Sequence, residues 1–336
     1  MGPRERNKNV PALATYELTK DYAVGFWRKR PYRALDRLTL DVPEGEVFGF
    51  LGPNGAGKTT TLKLLIQLVF PTSGRAEMLG RPVGDSSVKR RIGYLPENPY
   101  FYDYLTAEEL LTYFARLFGY RGADARARTS RLLDEVGIGA ERRLQLRKFS
   151  KGMLQRVGIA QALVNDPELV IFDEPMSGLD PLGRRDVRAM ILRLRDRGCT
   201  VFFSSHVLSD AEALCSRVAI LANGRLVAGG PMTELAHFRV HGWELVLGDV
   251  TDAMLQRLQT RVRRIVRIAD GRYALELPLE SQPERLLSEV TAAGATLVSL
   301  NPIRDTLEDY FVRQVTAPAA AQSPGRRLDG TDRGVA

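Results

Sequence analysis

The sequence predicts an α/β domain built on a parallel sheet, followed by a smaller α+β domain. Three observations carry that expectation. Short apolar runs alternate with helical patterns over residues 11–232, the order of a parallel α/β sheet. A glycine-rich run stands between one of those strands and the helix that follows it. Over residues 233–316 the texture changes to strands and helices in the order β-α-β-β-α-β, a ferredoxin-like arrangement.

In the first domain the strands are expected at Val47–Leu51, Ile92–Leu95, Leu169–Phe172, 200–204 and 218–222. Several are unbroken apolar runs, as strands covered on both faces must be. In the second domain a strand at 243–247 precedes a helix at 252–259. Strands at 262–268 and 273–278 flank the turn Asp270-Gly271. A helix at Pro283–Ala292, a strand at 296–300 and a helix at 307–314 complete it. Residues 1–10 read as a flexible tail. Residues 317–336, rich in Ala, Pro, Gly and Arg, read as a disordered one, with too few large apolar side chains to offset ordering entropy.

Composition narrows the function. The chain has 336 residues, 44% of them apolar and 26% charged, as expected of a globular protein with a large core. No stretch approaches 18 uninterrupted apolar residues, and the polar, basic first ten residues do not read as a secretory signal. Two cysteines, Cys199 and Cys215, are too few for a disulfide framework or a cysteine-based metal site. A cytosolic location is the expectation. The formal net charge of +8 is compatible with nucleic acid, anionic lipid or phosphate ligands. Residues 1–33 hold eight Lys/Arg against three acids, so +5 of that excess is local.

The glycine-rich run Gly52-Pro53-Asn54-Gly55-Ala56-Gly57-Lys58-Thr59 fits G-x-x-x-x-G-K-[ST]. It sits between strand Val47–Leu51 and a helical run at 60–69, the context of a P-loop. Glycines let backbone N–H groups turn inward, and the helix N-terminus adds partial positive charge. Lys58 is placed to reach the β- and γ-phosphates of a nucleotide, and the Thr59 hydroxyl to ligate Mg²⁺. The run Leu169–Phe172 ends in Asp173-Glu174, where ligands bind in an open α/β sheet. Asp173 is expected to hold Mg²⁺ and Glu174 to activate the attacking water as general base.

Further segments complete a pattern. Phe149-Ser150-Lys151-Gly152-Met153 with Gln155-Arg156 opens a helix at 151–163, and Ser150 is a good N-cap there. It resembles the LSGGQ-x-Q-R signature of ATP-binding cassette (ABC) ATPases. Ser177-Gly178-Leu179-Asp180 resembles their D-loop, and His206, after strand 200–204, their switch histidine. With the P-loop and Asp173-Glu174, five motifs in order cover residues 11–232. The chain thus resembles the ATPase subunit of an ABC transporter.

The resemblance implies a P-loop NTPase fold with a RecA-like core and a helical subdomain. It implies ATP and Mg²⁺ as ligands, with catalytic roles for Glu174 and His206. Nucleotide contacts would come from Tyr22, Gly52, Asn54, Gly55, Ala56, Gly57, Lys58, Thr59 and Thr60, and from Ser150, Gly152 and Asp180. Thr59, Asp173 and Glu97 would face the metal. The sequence departs from the family pattern at Phe149, Lys151 and Met153, where Leu, Gly and Gln are usual, and at Glu97, where Gln is usual. One P-loop and one signature imply a second ATPase subunit, homo- or heterodimeric, because each site is shared in this family. An integral membrane permease on a separate chain is implied as partner, with this subunit on the cytoplasmic face of the membrane. The segment 99–131, with Tyr100, Phe101, Tyr102, Tyr104, Tyr113 and Phe114, resembles the insertion that carries the permease groove. The 233–316 domain resembles extensions on exporter-type subunits, with a role in dimer support or regulation.

A second reading is a soluble ABC ATPase acting on nucleic acid or ribosomes, motivated by the +8 charge. The paired cassettes or long coiled-coil insertion of such members do not appear, and no specific nucleic-acid partner is expected. A kinase or GTPase reading lacks the Asn-Lys-x-Asp guanine motif.

Overall fold

A computed structural model describes residues 10–25, 29–235 and 240–304. Residues 1–9 and 317–336 of the two tails and the expected helix at 307–314 lie outside the described residues. The described chain divides into two compact units, one through Met232 and one from Thr233, and each is treated by itself.

The first unit opens with β1 (Leu13–Val24) and β2 (Arg30–Val42), which pair antiparallel. No strand was expected before Val47, and the reason is visible in the register. Glu17 in β1 and Arg37 in β2 take left-handed backbone angles, φ 48 and φ 50, at bulges that interrupt the two-residue alternation. The freed amides are satisfied across the pair. Glu17 N donates to Thr39 Oγ1 at 3.0 Å, and Arg37 N donates to Thr19 Oγ1 at 3.1 Å.

Next come β3 (Val47–Leu51), α1 (Lys58–Leu65), β4 (Ser73–Met78), β5 (Arg81–Pro82), α2 (Ser86–Lys89) and β6 (Ile92–Leu95). Strands β4 and β5 extend the antiparallel sheet in the order β2-β1-β4-β5. A helical segment follows, with α3 (Ala107–Leu117), α4 (Gly122–Glu135) and α5 (Lys151–Ala162) packed on one another. A capping box starts α3: Thr106 and Glu109 each accept from the other's backbone N–H. The unit closes with β7 (Leu169–Phe172), α6 (Pro181–Asp196), β8 (Thr200–Ser205), α7 (Leu208–Leu214), β9 (Arg217–Ala222) and β10 (Arg225–Pro231).

Six strands form the central sheet in the order β10-β9-β3-β8-β7-β6. β9, β3, β8, β7 and β6 run parallel, and β10 closes one edge antiparallel. Every residue of β3, β7 and β8 is buried, the burial expected of their apolar runs. On one face Phe48, Phe50 and Phe202 share a core with Leu62 of α1 and with Leu13 and Leu38 of the antiparallel sheet. Phe48 and Phe202 stack with ring centroids 5.7 Å apart. The helix α1 is thereby held between two sheets, which fixes the loop at its N-terminus.

After α8 (Met232–Leu235), which begins at the last residue of the first unit, the second unit holds β11 (Val240–Gly248), α9 (Asp252–Leu258), β12 (Arg264–Ala269), β13 (Arg272–Pro278), α10 (Pro283–Ala292) and β14 (Thr296–Arg304). From β11 onward the element order is β-α-β-β-α-β. Its antiparallel sheet runs β12-β13-β11-β14, so the first and third strands lie at its centre. Leu245, Leu247, Leu275 and Leu277 of the central strands pack against Leu258, Leu286 and Val290 of the two helices. No helix among the described residues is long and apolar enough to cross a membrane.

Candidate active site

Four loops leave the carboxyl edge of the parallel sheet side by side. They follow β3 (the glycine-rich loop), β7 (Asp173-Glu174), β8 (His206) and β6 (Glu97). This is the edge where open α/β sheets bind ligands.

The glycine-rich loop turns at Gly57, whose φ of 106 suits a residue without Cβ. A Cβ there would stand 2.5 Å from the Ala34 carbonyl oxygen. Gly57 caps α1 with no side-chain hydrogen bond, so the helix's first N–H groups face the loop. Asn54 and Gly55 are exposed, and the space around Gly55 is open. The loop is braced from behind: Gly224 N donates to Ala56 O at 2.9 Å, and Asp36 N donates to Gly224 O at 2.8 Å. Lys58 is buried. Its Nζ donates to the carbonyls of Gly52 at 2.7 Å and Pro53 at 3.2 Å, and lies 3.3 Å from Glu174 Oε1. Thr59 and Thr60 are half-buried in the first turn of α1.

Asp173 is only 1% exposed. Its Oδ1 accepts from Ser204 Oγ at 2.7 Å and from Thr59 Oγ1 at 3.4 Å. Burial pushes the Asp173 carboxyl above its ordinary value. The hydroxyls of Ser204 and Thr59 oppose that rise, and the charges of Glu174 and Glu97 add to it. A hydroxyl beside a buried carboxylate is the oxygen donor set that Mg²⁺ takes when phosphates supply its remaining ligands. Among the described residues no three His, Cys, Asp or Glu cluster as a metal cage. Glu97 is exposed beyond β6 and reaches Asp173 through its charge.

Glu174 is buried with φ 49, a left-handed conformation that a non-glycine residue takes at a cost. Its backbone N donates to Ser204 Oγ at 2.9 Å. Its two carboxylate oxygens are held apart, Oε1 by Lys58 and Oε2 by His206 Nδ1 at 2.9 Å. Ser204 therefore fixes both acidic residues at once. Sequence reading missed it, although a serine ending the apolar run Val201-Phe202-Phe203 was a visible signal.

The remaining residues stand apart from that cluster. Ser150 Oγ accepts from Met153 N at 3.3 Å and caps α5. Gly152 follows in the first turn of that helix. Asp180 Oδ1 accepts from Gly183 N at 2.7 Å and caps α6. Both caps are exposed, and among the described residues neither hydrogen-bonds to Lys58, Asp173 or Glu174. Tyr22 is half-buried on β1 opposite Tyr32, with Lys20 Nζ 5.0 Å from its ring centroid.

The chain is similar to known proteins. The family model described as ABC transporter matches residues 35–177. An uncharacterized ABC transporter ATP-binding protein of Synechocystis is 45% identical over 305 residues, covering 90% of this chain and 84% of that protein. The bacitracin transport ATP-binding protein BcrA of Bacillus licheniformis is 35% identical, covering 90% of this chain and 97% of its own length. A solved ATP-binding cassette, dimeric and bound to ADP and Pi in a post-hydrolysis state, is 26% identical. It covers 66% of this chain and 98% of its own, with a TM-score of 0.60.

Proposed function

We propose the machinery below from one premise: this chain belongs to the family of ABC transporter ATP-binding proteins. It is an ATP-hydrolysing subunit of such a transporter. The observation that carries the residue roles is Glu174, held between Lys58 and His206 beside Asp173.

In this reading the P-loop amides and Lys58 bind the β- and γ-phosphates of ATP. Glu174 takes the proton of the attacking water as general base. His206 fixes one carboxylate oxygen and Lys58 the other, so the base enters the reaction already oriented. Thr59 and Asp173 are the residues that would hold Mg²⁺, which when bound neutralises charge on the phosphate oxygens. Asn54, Gly55, Ala56, Gly57 and Thr60 complete the phosphate cradle, and Tyr22 offers a ring to the base. Glu97 occupies the coupling position next to the metal.

The exposed caps of α5 and α6 serve a second ATPase subunit. Ser150, Gly152 and Asp180 close over the nucleotide on the partner's P-loop, as solved cassettes found as dimers support. A permease on a separate chain docks at the helical segment. There a cavity of about 200 Å³ is lined by Pro99, Phe101, Leu146, Phe149 and Leu154. Tyr100 beside it is 96% exposed, and Tyr102, Tyr104 and Tyr113 are also open to solvent. The subunit works at the cytoplasmic face of the membrane. Export is the direction supported by relatives named for bacitracin transport and linearmycin resistance. The second unit supports or regulates the pair. The nucleic-acid reading has no relative in its favour among the matches described above.

The test is Glu174→Gln. ATP binding should persist while turnover falls by about 10²–10⁴-fold, the contribution of a general base. An ATP-bound dimer should then accumulate on size-exclusion chromatography. Full turnover in this variant would remove Glu174 from the mechanism.

A further inference from the structure

The start of α5 is fastened to the loop between β7 and α6 at three points. The buried Gln155 amide donates through Nε2 to the Pro175 carbonyl at 3.0 Å. Gly152 faces Leu179, whose Cδ2 lies 3.6 Å from the position of a Cβ built on that glycine. The Lys151 side chain lies across Gly178. A Cβ on Gly178 would stand 3.3 Å from its Cδ, 3.0 Å from its Cε and 2.4 Å from its Nζ, and Gly178 also takes φ 69. One turn along α5, Arg156 Nη2 donates to Asp186 Oδ2 of α6 at 2.8 Å. The same loop begins at Glu174, and Ser177 N donates to the Glu174 carbonyl at 3.0 Å.

Lys151 is the least expected member of this contact. It occupies the first turn of a helix, where the dipole disfavours a cation, and that turn carries no acid. Arg147 and Lys148 precede it in the chain. Among the described residues no carboxylate lies within ion-pair distance of its ammonium group. The side chain is exposed and runs along Gly178, which is exposed as well.

We propose that Lys151 is a positioning residue that makes the signature turn and the Glu174 loop move as one body. Nucleotide on the partner's P-loop seats the signature turn, and Lys151 passes that seating through Gly178 to Glu174 in this subunit's own site. The two ATP sites are thereby linked through a side chain standing where glycine is usual. The proposal rests on the paired-subunit reading above.

The experiment uses the full chain and follows ATPase rate against ATP concentration. Wild type should respond with a Hill coefficient above one. Lys151→Ala should bring it to about one and lower kcat several-fold, with ATP binding to the single chain unchanged. Lys151→Arg, which keeps a long stem, should restore cooperativity. Gly178→Ala should cost less in the Lys151→Ala background than in wild type, because no lysine remains to be displaced. A wild-type Hill coefficient and kcat in Lys151→Ala would overturn the proposal, as would an equal cost of Gly178→Ala in both backgrounds. Light scattering of Glu174→Gln with ATP separates the two levels. Dimerisation without a Lys151 effect overturns this link alone, whereas no dimerisation overturns the paired reading and the link with it.

Discussion

Lys58, Asp173 and Glu174 are buried and bound to other residues of the site, and the exposed His206 reaches in to Glu174. Ser150 and Asp180 are exposed and cap their helices, and Gly152 lies half-buried in the first turn of α5. Both regions belong to the first unit, and both are proposed to contact phosphate. The first is assembled by strand order within one chain, so its geometry exists before any partner arrives. The second presents open helix N-termini whose remaining N–H groups await a ligand from outside. In the proposed mechanism catalysis is divided between a finished half and a half that a second subunit completes.

Substitutions in the two regions should differ in kind. Lys58→Ala removes a buried cation from the finished half and leaves Glu174 Oε1 without its partner. ATPase activity should fall by about 10²–10³-fold, as for loss of one preorganised electrostatic group, and single-chain ATP binding measured by calorimetry should be lost. Ser204→Ala strips a hydrogen bond from Asp173 and another from the Glu174 amide. A cost of about 1–3 kcal/mol in denaturant unfolding is expected, since both partners stay buried. Ser150→Ala acts on the open half. Losing the cap should cost about 0.5–2 kcal/mol, and ATP-driven association should weaken while single-chain ATP affinity is retained. A fall in that affinity matching Lys58→Ala would erase the distinction between the halves.

Asp173 offers the smallest and most diagnostic shift. Burial raises its carboxyl, so the ionised form costs the folded state stability. That cost is absent below its ordinary value of 3.8, grows as pH climbs through the raised folded value, and is complete above it. Asp173→Asn should therefore raise the unfolding midpoint at neutral pH without magnesium, and leave it unchanged near pH 3. An unchanged midpoint at both pH values would show that the site stores no such cost.

Much of this architecture is legible in local pattern. The runs at β3 and β7 have the ends expected of them, because strands buried on both faces must be continuously apolar; β6 has them too, as an edge strand whose residues alternate between buried and half-buried. The glycine-rich loop and the Ser150 cap are likewise local, since turn and cap chemistry depend on a few neighbouring residues. The strands β1 and β2 were hidden by the bulges at Glu17 and Arg37, which shift side chains from one face to the other. The helix α6 opens at Asp180, so a residue expected to touch nucleotide also has a structural task.

The residue types of the site and their order along the chain are properties of the sequence alone, because spacing on a strand or turn is set by covalent geometry. Which of them meet is a property of the sheet. β8 lies between β3 and β7, and that order brings Ser204 to Asp173, Lys58 to Glu174, and His206 to the other Glu174 oxygen. Residues 114 or more positions apart, as Thr59 and Asp173 are, come together by strand pairing that no local pattern encodes.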